Sequence, residues 1–294
     1  MNTKILVIIA CSCILAYYSL AGEDTKLSPK HLRKRFAEVQ KLLNVQGSLK
    51  SQSAERINFT YFGTPSRHKI VFTSNDMNLT IDTVSGRILS LDMKHPPSKK
   101  LDQSPRMKEE QVMGIAKCHV RKLGSVVDPN MEVTYKAFDR LTGRWEFAWK
   151  RRIDRYPFPE ETIFIAVNDT DGTIASFRDG TTDRKCPTEP VIEEAKARVS
   201  AESRIKALLP KMFGKDYEIA SMSQGKLQIV YPNGHYLPQD NPRGIRSSES
   251  EPHPRLVYSF DFTFDYTGTS ELRIATPPIA VWVDALSGNV IGGL

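Results

Sequence analysis

Six histidines, four cysteines and a scatter of carboxylates are the groups in this 294-residue chain that could do chemistry. The histidines are His31, His68, His95, His119, His235 and His253, with no pair at i, i+4 and none in HxH spacing, so no local metal site is encoded. Cys118 and His119 are adjacent in a helix-like stretch and therefore point in different directions. A thiol nucleophile needs a base within hydrogen-bond reach and a lowered pKa, and adjacency supplies neither. Asn168-Asp169-Thr170-Asp171-Gly172 has the oxygen spacing of part of a calcium loop, but the distal bidentate acid is missing and turn chemistry is the simpler reading. HExxH, GxSxG, GxxxxGK[ST] and GxGxxG do not occur, which disfavours a zincin, an α/β-hydrolase, a P-loop enzyme and a dinucleotide binder. No catalytic, metal or cofactor residue is therefore expected.

The elements that would position any site begin after residue 21. Lys4 followed by the apolar run Ile5 to Leu20, then Ser19-Leu20-Ala21 and the acidic Glu23-Asp24, reads as a signal peptide over residues 1–21. A run of that length falls short of the roughly 20 apolar residues that span a bilayer. The expected mature protein is thus secreted, extracytoplasmic or periplasmic, with no transmembrane span. Its remaining cysteines, Cys118 and Cys186, would meet oxidising conditions, and one disulfide between them is expected, with two separate buried thiols as the alternative. Asn58, Asn78 and Asn168 each open an N-glycosylation sequon, which matters only in a eukaryotic secretory route.

Composition is that of a globular chain, with 40% hydrophobic and 26% charged residues and a mean hydropathy of −0.37. The formal net charge of +7 has no nucleic-acid motif attached to it. Basic clusters do occur at Lys30, Arg33, Lys34 and Arg35, at Lys99-Lys100, and at Lys150-Arg151-Arg152 with Arg155. They keep an anionic envelope surface among the expected partners and leave nucleic acid out.

A strand–turn–strand pattern occurs three times. Leu79 to Ile88 aligns with Ile165 to Ile174 and with Val281 to Val290, with apolar residues at two-residue spacing before the turn and a glycine at Gly86, Gly172 and Gly288. Those glycines follow polar residues where a positive φ is expected, so they are structural turn residues. Amphipathic helical stripes precede the hairpins: Leu32, Phe36, Val39 and Leu43, then Val112, Ile115, Ala116 and Leu123, then Ala195, Val199 and Ile205. Ser28-Pro29, Ser104-Pro105 and Glu189-Pro190 suggest that each helix starts with proline in its first turn. Strand-like segments lie between: 70–73, 131–138, 144–152, 226–231 and 256–266. Each unit then reads as one helix and about four antiparallel strands, over 28–95, 104–180 and 188–294. Linkers at 94–103 and 179–189 separate them, and the proline-rich stretch 232–255 is a loop insertion in the third unit.

The second unit is the most legible. Its aromatic strand Trp145-Glu146-Phe147-Ala148-Trp149-Lys150-Arg151, the hairpin Tyr156-Pro157-Phe158-Pro159, and the closing run Ile163 to Phe177 through Asp169 and Gly172 resemble the PepSY-like repeat of bacterial secreted and envelope proteins. The likeness is to the branch found as tandem copies. It implies an α+β fold of tandem repeats, each a helix packed on a roughly four-stranded antiparallel sheet in a cystatin-like arrangement. It also implies non-catalytic work, as in the propeptides of thermolysin-type proteases. The cystatin inhibitory signature QxVxG is absent, so that mode of inhibition has no support in the residues.

The expected function is therefore a secreted, non-enzymatic module that binds a protein or peptide and modulates an extracytoplasmic peptidase in trans. Alternatives are a structural protein held on an anionic envelope surface and a hydrolase whose catalytic groups converge from distant segments. Sheet edges and the 232–255 loop are the expected contact surfaces, with His235, Tyr236, Arg243, Arg246 and His253 as candidate partner contacts. Trp145, Phe147 and Trp149 share one strand face, where packing in a core is favoured over a binding platform.

Overall fold

The computed structural model describes residues 26–45, 48–56, 68–94, 104–233, 253–268 and 276–294. The expected signal peptide lies outside them. Helix α1 (Pro29–Leu43) starts as its sequence dictates: Ser28 caps it by accepting from the His31 N–H, Pro29 occupies the first turn, and Asn44 ends it in the left-handed region at φ 53°. Leu32, Phe36 and Val39 form its buried stripe. Helix α2 (Glu109–Lys122) buries Val112, Ala116 and Val120, and α3 (Glu194–Met212) buries Ala197, Ala201, Ile205 and Leu209. Neither of the latter two begins at its proline. Pro105 and Pro190 lie four residues ahead of their helices, in segments that are instead pinned to a hairpin turn.

Eight strands make one antiparallel sheet in the order β1-β2-β3-β4-β8-β7-β6-β5. Their ranges are β1 (Leu49–Arg56), β2 (His68–Ser74), β3 (Met77–Asp82), β4 (Ile88–Met93), β5 (Glu132–Asp139), β6 (Arg144–Ile153), β7 (Tyr156–Asn168) and β8 (Ile174–Asp179). Two four-stranded meanders thus meet through their last strands, with Ser90 opposite Arg178, Leu91 opposite Phe177 and Asp92 opposite Ser176. The sequence units 28–95 and 104–180 share this sheet rather than each closing its own. Helices α1 and α2 cover one face, over Phe72, Leu79, Ile81, Leu91, Phe147, Ile165 and Phe177.

A second antiparallel sheet holds β9 (Tyr217–Met222), β10 (Lys226–Val230), β11 (Arg255–Tyr266), β12 (Ile279–Asp284) and β13 (Val290–Gly293). The long β11 carries β10 and β9 one after the other along one side and β12 on the other. Helix α3 covers this sheet, packing Ala197, Ala201 and Ile205 over Ile229, Phe260, Phe262, Val281 and Val283. Tyr156 and Phe158, from the tip of the β6–β7 hairpin, belong to the same cluster. The core of the second sheet is therefore completed by residues of the β6–β7 hairpin, and Phe158 packs tilted against Tyr231 with ring centroids 5.0 Å apart.

The three hairpins share one geometry. Gly86, Gly172 and Gly288 have φ of 72°, 70° and 79°. Each donates its N–H at 2.9 Å to the carbonyl four residues back, on Asp82, Asn168 or Asp284. The segment before each helix is tied to the residue that follows that position. Leu27 donates to the Thr83 carbonyl, Arg106 and Met107 donate to the Asp169 carboxylate, and Val191 and Ile192 donate to the Ala285 carbonyl. The turn thus sets both the strand register and the entry of the unit's own helix.

Candidate functional site

The groups singled out in the sequence are not brought together. Cys118 is exposed on α2, while Cys186 is buried against the second core, where burial pushes its thiol up to about 11. Both thiols are free, so the expected disulfide is not formed. The reason is geometric: the 179–189 segment does not fold back onto α2 but runs toward the second sheet, placing Cys186 under it. Of the candidate contacts in the long loop, His253 is exposed, and His235, Tyr236, Arg243 and Arg246 lie outside the described residues. Where the chain enters that loop, the Asn233 side chain clasps Gly293, donating to its carbonyl at 2.6 Å and accepting from its N–H at 3.1 Å.

The Asn168 to Gly172 stretch is a turn, as its chemistry predicts. The Asp169 carboxylate is buried and accepts from Arg106 N, Met107 N and Trp145 Nε1, which leaves it committed to the fold. Trp145, Phe147 and Trp149 are buried and stacked in series, with centroids 6.2 and 5.9 Å apart. They are core rather than platform. His119 contacts the Gly172 carbonyl at 2.8 Å through Nε2, and since a carbonyl can only accept, Nε2 carries the hydrogen.

Two buried charge clusters were not visible in the sequence, and both involve the 179–189 segment read there as a linker. In the first, Asp179 accepts from Arg87 at 2.8 Å, Ser125 Oγ at 2.5 Å and Thr181 Oγ1 at 2.7 Å. Arg87 and these hydrogen bonds hold its carboxyl below the usual carboxylate range despite burial. In the second, Glu161 pairs with Arg151 at 2.6 Å, accepts from Tyr231 Oη at 2.6 Å and from Thr182 N at 3.1 Å, and also bonds Thr182 Oγ1. Arg151 donates further to the carbonyls of Thr182 and Arg184, so it is not the surface cation its basic neighbours suggested.

Next to this pair stands Glu160. Its Oε1 accepts from Tyr231 N at 3.4 Å and its Oε2 is closed off from solvent with no partner. Desolvation raises its pKa to about 8, so the carboxyl is largely protonated at neutral pH. Two adjacent carboxyls, one of them with a raised pKa, are an arrangement that acid–base enzymes use. Here, however, Glu161 is fully buried and saturated by its partners, and Glu160 Oε2 is closed off from solvent. The cluster can lock two units together; it presents no open face to a substrate. Among the described residues, no group of three or more His, Cys, Asp or Glu side chains could hold a metal ion.

What the molecule does offer outward is a sheet edge. Strand β5 ends the eight-stranded sheet, and its first five residues, Glu132 to Lys136, are all exposed. Val133 and Tyr135 are 40% and 48% exposed. A bulge between them breaks the ladder to β6, and Lys136 is held by Glu109 of α2 at 2.7 Å. The sequence marked 131–138 only as a strand-like segment and gave no sign that it would be an edge.

Comparison with known proteins finds a distant structural likeness. No family model matches the chain, and no curated protein matches it. The C-terminal domain of YpeB from Bacillus megaterium is similar with a TM-score of 0.41 at 10% identity, over 92% of this chain and 98% of that one. Among the described residues, no helix is long and apolar enough to cross a membrane.

Proposed function

We propose that this chain is a secreted, non-enzymatic protein of three PepSY-like units that captures an extended polypeptide segment along β5. The observation that carries the reading is the edge itself: a strand with exposed backbone on one side, exposed on both faces at its start, and carrying two apolar side chains that find no cover. An incoming strand would satisfy the free N–H and C=O groups while Val133 and Tyr135 supplied side-chain contact. The shared geometry of the three hairpins supports the tandem-unit reading. The PepSY resemblance points to a secreted peptidase, bound in trans, as the partner class.

The test is capture from the native extracellular fraction by wild type and by a Val133→Glu/Tyr135→Glu variant, alongside inhibition assays on the peptidases of that fraction. The reading expects the variant to lose the captured partner while keeping its circular dichroism and thermal midpoint. Retention of every partner by a folded variant overturns it. Deleting residues 234–252 in parallel separates the edge from the long loop as the contact.

One observation favours a second reading, adhesion to an anionic surface. Helix α1 has no acidic residue in its first turn, yet Lys30 stands exposed there, with Arg33 and Lys34 exposed just beyond it. Cations at the positive end of a helix are unfavourable by a few tenths of a kcal/mol each unless an external anion compensates. Release from the surface by moderate salt would identify this mode.

A further inference from the structure

The ends of α1 and α2 enclose a cavity of about 230 Å³ over the seam between the first two meanders. Its walls are Leu42 and Leu43 at the end of α1, Val45 just beyond it, Met93 at the end of β4, Leu123 after α2 and Ile174 at the start of β8. The polar remainder is Asn44, Thr173, His119 and Lys122. No carboxylate lines it, so the cavity holds positive charge and no counter-charge. The negative ends of the two helices are also blunted. The N–H groups of Asn44 and Val45 take the Gln40 and Lys41 carbonyls, and those of Leu123 and Ser125 take the His119 and Val120 carbonyls. His119 is fixed by the Gly172 carbonyl, which its Nε2 contacts at 2.8 Å.

From this combination we infer that the cavity is a binding site for a medium-chain aliphatic carboxylate. At interior packing density its volume accommodates roughly ten non-hydrogen atoms, the size of a fatty acid of six to eight carbons. The apolar walls take the chain, and the exposed Lys122 ammonium at the rim takes the carboxylate. A neutral alcohol of the same length fits the walls but gains nothing from Lys122, and a long-chain acid exceeds the volume.

Octanoate, octan-1-ol and hexadecanoate are titrated into the full chain by calorimetry and by amide chemical shifts. Saturable octanoate binding is expected, with shifts concentrated at the ends of α1 and α2, and with octan-1-ol and hexadecanoate each weaker by about tenfold. Lys122→Glu, a surface change, is expected to weaken octanoate by about tenfold and to leave octan-1-ol unaltered. Val45→Trp, which fills the rim, is expected to abolish both. The inference is overturned by any one of three results. These are no saturable octanoate binding up to about 10 mM, octan-1-ol binding as tightly as octanoate, or a Lys122→Glu protein that folds and binds octanoate as well as wild type.

Discussion

Replacing Glu160 by glutamine should flatten the pH dependence of this protein's stability. The carboxyl sits at the joint between the sheets, with Oε2 closed off, Glu161 beside it and only backbone N–H groups, of Tyr231 and of Glu160 itself, to support it. Arg151, Thr182 and Tyr231 Oη all face this joint, but they are engaged by Glu161 and lend Glu160 no compensating charge. Its pKa is raised from 4.5 to about 8, so between those values the folded state holds a proton that the unfolded chain releases. Stability must then fall as pH rises through that window and level off above it. At about 1.4 kcal/mol per unit, the loss approaches roughly 4–5 kcal/mol by pH 9, a large part of the 5–15 kcal/mol typical of a folded domain. Urea unfolding followed by tryptophan fluorescence at several pH values from 5 to 9 measures it, with wild type and Glu160→Gln run side by side. The difference between the two curves isolates this carboxyl from every other titrating group. A difference that stays constant from pH 5 to 9, or wild-type stability that climbs over that range relative to the variant, would refute the reasoning.

Three further outcomes are expected. Arg87→Leu leaves the Asp179 carboxylate buried without its counter-ion and should cost about 3–5 kcal/mol, read as a lowered denaturation midpoint, whereas Lys136→Ala at the exposed pair with Glu109 should cost under about 1 kcal/mol. Gly288→Ala places a Cβ at φ 79° with its nearest neighbour, Ile192, at a tolerable 3.5 Å, so the loss is backbone strain alone, about 1–2 kcal/mol. Thiol titration of native protein spanning residues 22–294 should show one fast group, Cys118, and one that reacts only after denaturation, Cys186; two slow groups that become reactive only on reduction would mean that the pair is bridged after all.

Much of the element plan was legible because it rests on local chemistry. The i, i+4, i+7 stripe of Leu32, Phe36 and Val39, the alternation through 79–88, and the polar-Gly turns each leave a mark that needs no knowledge of the rest of the chain. Strand β1 left none: Leu-Lys-Ser-Gln-Ser-Ala-Glu-Arg is an edge strand with neither alternation nor β-branched residues, held by its pairing to β2. The prolines at 105 and 190 misled for a related reason. The N–H groups that follow them are consumed by distant hairpin residues, Asp169 and Ala285, so the helix waits another turn. Arg87 with Asp179, and Arg151 with Glu161, were illegible as pairs because the partners of the first are far apart in sequence and the second reads as part of a basic run. The 179–189 segment looked like a linker because it lacks periodicity. Its backbone and threonines instead satisfy the buried charges on both sides of it, a use of polar residues that no periodicity reports.

The seam between β4 and β8 has one more consequence. It is only three residue pairs long, and each meander would otherwise present there an unpaired strand of the kind β5 presents at the far end. Two molecules whose seams have opened carry matching edges, and reclosing with each other restores every bond that reclosing within one molecule would restore. Concentrated protein held under mildly destabilising conditions should therefore accumulate strand-exchanged dimers, in which the first meander of one copy completes the second meander of another. The same join that lets two small meanders share a core thus also fixes where this protein would exchange parts with its own kind.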